Sequence, residues 1–399
     1  MPALKCGSTS AGASDMPQKI SLAFRQLAHD RMKFATAIAG VMVAVMLMWI
    51  QLGILAAVYE STTVIHRHIT SDLVVFHPLS ENMNGLKPFS VRTLYRVRGY
   101  PDVTGIGELL IGVVEWRRPD NGTIWKMQTY GIEVEEGWVD LPGLMTDGQS
   151  LKEADTFLFD RNSRAVFGPV VQTFLGGKAF EVELNHRRAR VVGLTSMAAS
   201  FGQQGNIVTS RANYLRLLKQ FSPDEVHLGF VRLRPGADIP KAQAYLRQIL
   251  APEALVMTPQ EFTDFELLYL KQNAPVGFVF TMGAVAGFFI GFIVVYQILY
   301  TDVTNNLPNF ATMKAIGFTD WALFRIVIRQ GVILSVLGYI PGSILAIGFY
   351  HIIQVGTSIP VRPTWDRAWL LLGLTCLMCL LSGAMATRKL RAADPADVF

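Results

Sequence analysis

The sequence predicts an integral membrane protein with four transmembrane α-helices and a large extracytoplasmic α+β domain between the first helix and the second. Three observations lead there. Hydrophobic residues make up 51% of the 399 and charged residues only 17%, whereas soluble chains are about one quarter charged. Four long stretches, 34–59, 272–301, 330–361 and 368–387, hold no Asp, Glu, Lys or Arg. Each supplies the run of about 20 apolar residues that a helix needs to cross a bilayer. The 212-residue stretch 60–271 carries ordinary charge and is long enough for its own core. This composition argues against intrinsic disorder of the chain as a whole. It also argues against nucleic-acid binding, because a pI near 9.1 rests on a net charge of only +5.

Residues 1–17 are Gly/Ser/Ala-rich and read as a disordered N-terminus. Residues 18–33 read as a cytoplasmic amphipathic helix, with Ile20, Phe24, Leu27 and Ala28 on one side. It suits either a basic anchor on the membrane surface or a contact with a cytoplasmic partner. About thirty polar residues before the first span argue against a cleavable signal peptide. The spans are assigned to 34–59, 276–301, 326–350 and 368–387, with an extracytoplasmic domain and stalk at 60–275. A cytoplasmic loop at 302–325, an extracytoplasmic loop at 351–367 and a cytoplasmic tail at 388–399 complete the chain. Orientation follows the bias of Lys and Arg in short flanks. Lys5, Lys19, Arg25, Arg31, Lys33, Lys314, Arg325, Arg329, Arg388, Lys389 and Arg391 fall on one side, which carries the whole net charge and is taken as cytoplasmic. Both termini are then inside. Arg362 and Arg367 on the opposite side are a mild counter-signal.

In the large domain, strands are expected at 72–76, 107–116, 124–134, 156–160, 179–184, 188–194, 206–209 and 225–234, with helices at 90–98, 212–219 and 239–250. The uncharged run 191–210 is too rich in Gly, Ser, Gln and Asn to face lipid. Thr258-Pro259-Gln260-Glu261 reads as a capping box with Pro at the first helical position. It starts a helix toward the second span, which Pro275 should kink or break.

Covalent chemistry finds little support. The string Gly176-Gly177-Lys178-Ala179 lacks the first glycine and the hydroxyl of a phosphate-binding loop. His66 and His68 are two apart, diverge on a helix, and read as a solvated stretch. The pair Glu135–Glu136 reads as an exposed turn. Cys376 and Cys379 share a helix face inside the last span, where packing outweighs metal or redox chemistry. The expectation is a non-enzyme that binds and moves, with no metal and no cofactor.

The most informative segment is the loop between the second and third spans. Pro308 can open a short helix there and Gly317 can close it. Phe310, Met313 and Ile316 recur at helical spacing, so one apolar face is expected to stand exposed. Such a face seeks a partner; the alternative is packing against the protein's own spans.

The stretch Leu307 to Gly317 resembles the coupling helix of the FtsX-like permeases of ABC transporters. The tail Asp394-Pro395-Ala396 resembles their common ending. One span, a large outside domain and three further spans resemble the layout of MacB-like exporters. Gln51-Leu52-Gly53, Leu158-Phe159-Asp160-Arg161, Phe167-Gly168-Pro169 and Ser200–Asn206 are similar to strings of DevC-type permeases. The resemblance implies a homodimeric permease subunit of an ABC exporter in the inner membrane of a bacterium. It implies a separate ABC ATPase subunit that uses the ATP, docked on Leu307, Pro308, Asn309, Phe310, Ala311, Thr312, Met313, Lys314, Ala315, Ile316 and Gly317. It further implies a membrane-fusion adaptor, an outer-membrane channel and a lipid-like cargo. The chain departs from the family at Asn309, where an acid is usual. A regulatory protein that transmits force to an extracytoplasmic partner, such as a cell-wall hydrolase, is the other reading.

Overall fold

The computed structural model describes residues 31–135, 137–197, 203–273, 275–357 and 361–387. The expected N-terminal helix up to residue 30, Glu136, the string 200–202 and the tail with Asp394, Pro395 and Ala396 lie outside the described residues. The chain forms two compact units. One comprises Met1–Leu52, Thr281–Phe349 and Pro363–Phe399, and the other Gly53–Phe280 and Tyr350–Arg362.

Among the described residues, four helices are long and apolar enough to span a bilayer: Phe34–Thr62, Pro275–Asn305, Trp321–Gly356 and Trp365–Ala386. Burying their backbone polar groups in lipid requires internal pairing, which a helix alone supplies. In the first unit the helices are joined by small residues and buried polar links, the two devices that substitute for a hydrophobic force in lipid. A Cβ on Gly291 would lie 2.6 Å from Ala44 Cβ and 2.5 Å from Met378 Sδ, so only glycine permits that approach. Trp49 Nε1 donates to Ser343 Oγ at 2.9 Å. Ser382 Oγ donates to the Phe292 carbonyl at 2.9 Å, and Tyr339 to that of Ala368 at 2.8 Å.

The second unit holds the α+β domain. Its strands are β1 (Leu73–Phe76), β2 (Phe89–Ser90), β3 (Val103–Arg117), β4 (Ile124–Ile132), β5 (Thr156–Asp160), β6 (Glu181–Leu184), β7 (Arg187–Thr195), β8 (Asn206–Ser210), β9 (Glu225–Val226), β10 (Leu228–Leu233) and β11 (Leu255–Met257). Nine of them form one sheet in the order β11-β1-β10-β3-β4-β8-β5-β7-β6. β3 is 15 residues long and serves two lobes. Its first half pairs antiparallel with β10, for example Gly107 with Phe230. Its second half pairs with β4 and, at Trp116 and Arg117, also with β6. That last pairing closes β3, β4, β8, β5, β7 and β6 into a ring, which removes exposed strand edges.

Inside the ring, Trp116 is fully buried against Phe157, Phe159, Phe167 and Phe180, with ring centroids 5.5–6.2 Å away. The other lobe packs the helix Ile239–Leu250 and the short helix Val91–Tyr95 on β1, β10 and β11 through Leu94, Leu246 and Leu250. A third cluster around Phe76, Phe230 and Phe262 receives the helix Pro259–Asn273. Its capping box forms as the spacing predicts: Glu261 N–H donates to Thr258 Oγ1 at 3.2 Å, and Thr258 N–H to Glu261 Oε2 at 3.0 Å. The expected break at Pro275 falls beside residue 274, which lies outside the described residues.

In the large domain the structure departs from the sequence reading at the stretch 225–234, at the unexpected short strands β2 and β11, and at His66. The single strand expected at 225–234 is split, because His227 sits between β9 and β10 and its N–H donates to the Leu109 carbonyl at 3.2 Å. β11 is three residues long, too short to show a period. His66, read as solvated, is 2% exposed. The turn Val64–Arg67 points it inward, 4.7 Å from the Phe262 ring.

Two buried carboxylates link elements of this domain. Asp160 ends β5 and accepts from Asn162 N–H at 3.0 Å, Met197 N–H at 2.9 Å and Asn206 Nδ2 at 2.9 Å. Burial pushes its carboxyl up to about 6, against the pull of those three bonds. Glu266 accepts from Met83 N–H at 2.7 Å and lies 4.0 Å from His66 Nε2. That distance permits an ion pair, but burial lifts Glu266 to about 7 and lowers His66 to about 4. Desolvation therefore wins, and near neutral pH the imidazole is uncharged.

Candidate functional site

Between the second and third long helices, residues Leu307–Ala315 form a separate short helix with Pro308 at its first turn. A proline fits there because its missing N–H would have no intrahelical partner. The helix ends as its residues dictate. Gly317 adopts φ +104°, Gly317 N–H donates to the Lys314 carbonyl at 2.9 Å, and Phe318 N–H to that of Met313 at 3.0 Å. These paired bonds define a Schellman stop. Thr319 Oγ1 then accepts from Ala322 N–H at 3.3 Å and opens the next helix.

The short helix is clamped on its inner side. Phe310 is 3% exposed and packs with Val303, Leu323 and Val327, with Leu307, Met313 and Ile326 around them. A polar ladder runs beside this cluster. Asn309 Nδ2 donates to Asn306 Oδ1 at 3.2 Å, and Asn306 Nδ2 donates to Asp302 Oδ1 at 3.1 Å. Gln330 Nε2 donates to Asp302 Oδ2 at 3.3 Å. Asp302 closes the second span's helix and Gln330 belongs to the third's, so both ends of the loop are tied to the short helix. A side-chain donor at 309 completes the ladder, and a carboxylate there could not donate. That accounts physically for Asn309.

The expectation of one exposed apolar face through Phe310, Met313 and Ile316 is therefore corrected. The face is split: Phe310 is buried and Met313 half-buried, while Ile316 is 74% exposed. The reason is the crossing of the flanking helices, which places Val303, Leu323 and Val327 against one side of the turn. Ala311 is also buried, Leu307 and Lys314 are half-buried, and Pro308, Asn309 and Thr312 are exposed. Two exposed apolar residues escaped the sequence reading, Phe318 and Trp321, at 51% and 58% exposure. Trp321 stacks on Phe324 with ring centroids 5.1 Å apart, and the Arg325 guanidinium lies over the Trp321 ring, 5.7 Å from its centroid. A signal for them existed: large apolar residues directly after a helix-stopping glycine cannot belong to the preceding helical face.

The model of the MacB-like periplasmic core domain matches residues 34–249, and that of the FtsX-like permease C-terminal domain matches residues 281–395. The first alone spans more than half of the chain, so the chain belongs to the MacB-type, FtsX-like family of permeases. Such permeases are membrane subunits of ABC-type transport or mechanotransmission systems and work with an ATPase in a membrane complex. The four apolar helices and this family make the chain a multi-pass protein of the bacterial inner membrane. Among solved structures it is similar to the periplasmic region of MacB from Actinobacillus actinomycetemcomitans: 13% identity, TM-score 0.35, covering 50% of this chain and 94% of that one. It is also similar to the extracellular domain of the ABC-type transporter YknZ from Gram-positive bacteria: 14% identity, TM-score 0.32, covering 47% and 100%. No curated protein matches the chain. The family assignment rests on the two family models.

Proposed function

We propose that this chain is the permease subunit of an ABC exporter of the DevC type, acting as a homodimer with both termini in the cytoplasm. A separate ATPase subunit binds and hydrolyses the ATP and docks on the short helix Leu307–Ala315 and its exposed edge. The observation that carries this reading is the construction of that helix. Its inner side is locked to the second and third long helices by the Phe310 cluster and the Asp302–Asn306–Asn309 ladder. Its outer edge presents Ile316, Phe318 and Trp321. A rigid lever with an apolar handle suits the transfer of motion from ATPase closure to the spans. The extracytoplasmic domain would move with them and act on a lipid-like or other hydrophobic cargo through a membrane-fusion adaptor and an outer-membrane channel.

Apolar anchors at an interface cost at least about 2 kcal/mol on removal, roughly thirtyfold in affinity. Ile316→Glu and Trp321→Glu should therefore abolish recovery of the co-expressed ATPase in a pull-down, with permease levels unchanged. Full ATPase recovery by both variants would sink the proposal.

A further inference from the structure

A cavity of about 500 Å³ opens beside the loop after β5, far along the chain from the short helix and independent of the coupling reading. That volume lies in the range of small-ligand sites. Three arginines, Arg118, Arg161 and Arg164, are among its lining residues, and none of those residues is acidic. Arg118 is already engaged: its Nε donates to Asp120 Oδ1 at 2.9 Å and its Nη1 to the Val166 carbonyl at 3.2 Å. Asp120 is held below its ordinary range by that arginine, so the pair is ionic and Arg118 is neutralised. Arg161 and Arg164 supply the remaining positive charge. Arg161 is exposed. Arg164 is fixed by its backbone N–H, which donates to the Gln204 carbonyl at 2.9 Å. Its Nε–H is buried and has no acceptor among the described residues. A buried donor left so is costly, and charged donors most of all. The apolar wall is Phe159, which is 3% exposed, with Val171 beside it.

Arginines gathered around one cavity match the oxygens of a phosphate better than any neutral group. An apolar wall beside them suits a ligand whose phosphate adjoins a nonpolar part. We infer that this cavity binds a phosphate-bearing ligand, with Arg161 and Arg164 on the phosphate and Phe159 against the nonpolar portion. The phosphate can come from a lipid headgroup or from a free phosphorylated solute, and the test separates the two.

The full-length protein, purified in detergent, is titrated calorimetrically with inorganic phosphate, dihexanoyl phosphatidic acid and dihexanoylglycerol, which lacks the phosphate. Arg161→Gln and Arg164→Gln should each weaken phosphate and phosphatidic acid binding roughly tenfold. Gln172→Glu is an exposed change on the cavity wall that leaves every guanidinium in place. It should weaken both by a similar factor through repulsion, and it keeps the test valid if an arginine variant fails to fold. Phosphatidic acid binding at least tenfold tighter than phosphate assigns the site to a lipid headgroup. Equal affinities assign it to a free phosphorylated solute. No binding of either phosphate probe, equal affinity for dihexanoylglycerol and phosphatidic acid, or unchanged affinity in Gln172→Glu and the folded arginine variants would each overturn the inference.

Discussion

At the scale of single residues, burial decides the chemistry more than residue type does. Glu266 accepts one backbone N–H, yet its environment raises its carboxyl from 4.5 to about 7. A raised acid is at full benefit to the fold below its unfolded value and becomes a liability as pH climbs from 4.5 to about 7. The full penalty above pH 7 is about 3 kcal/mol. Glu266→Gln keeps an acceptor for Met83 N–H and cannot ionise. The variant should match the parent in unfolding free energy at pH 4.5 and exceed it by about 2–3 kcal/mol at pH 8, as followed by thermal unfolding in detergent. A variant no more stable than the parent at pH 8 would show that Glu266 is not desolvated as described. Phe310 makes the parallel point in the other unit. Because it fills the cluster with Val303, Leu323 and Val327, Phe310→Ala should destabilise the protein itself by about 3 kcal/mol through an unfilled cavity. Loss of ATPase recovery at undiminished permease stability would instead place Phe310 on the docking edge.

At the scale of elements, the local signals that could be read were those that complete themselves within a few residues. The capping box at Thr258 and the Pro308-to-Gly317 helix form because donor, acceptor and backbone conformation all lie within one turn. The helix Ile239–Leu250 coincides with its expected bounds, as Asp238 Oδ1 caps it by accepting from Lys241 N–H at 3.0 Å. β2 and β11 carry no such signal; each exists only because a partner strand offers a ladder, β9 for β2 and β1 for β11. The Schellman stop is open to direct test. Nothing lies within 4 Å of a Cβ built on Gly317, so Gly317→Ala introduces only left-handed backbone strain. That costs about 1–2 kcal/mol. Hydrogen exchange of the Phe318 amide, which donates to Met313, should accelerate about five- to thirtyfold while the amides of the four long helices stay unchanged. Unchanged exchange at Phe318 would mean that the bond does not hold the turn.

At the scale of the whole molecule, the proposed orientation is tested with single cysteines in a background where Cys6, Cys376 and Cys379 are replaced by Ala. Lys178→Cys, on an exposed turn of the large domain, should react with a membrane-impermeant maleimide in intact cells. Thr312→Cys, exposed on the short helix, should react only after permeabilisation. Reaction of Thr312→Cys in intact cells would refute cytoplasmic placement of the coupling helix. The sequence by itself determined the four long apolar helices, the α+β character of the domain between the first two, and the bounds of the short helix. These follow from hydropathy, period and capping, all of which are local properties of the chain. Only the tertiary structure decided that β3 serves two lobes and closes a ring with β6, because pairing Trp116 with Leu184 joins residues far apart in sequence. It alone buried His66 against Phe262 and Phe310 against Leu323, and gathered Arg118, Arg161 and Arg164 around one cavity. A helical period shows which residues share a face; which neighbour covers that face is settled by the elements that pack on it.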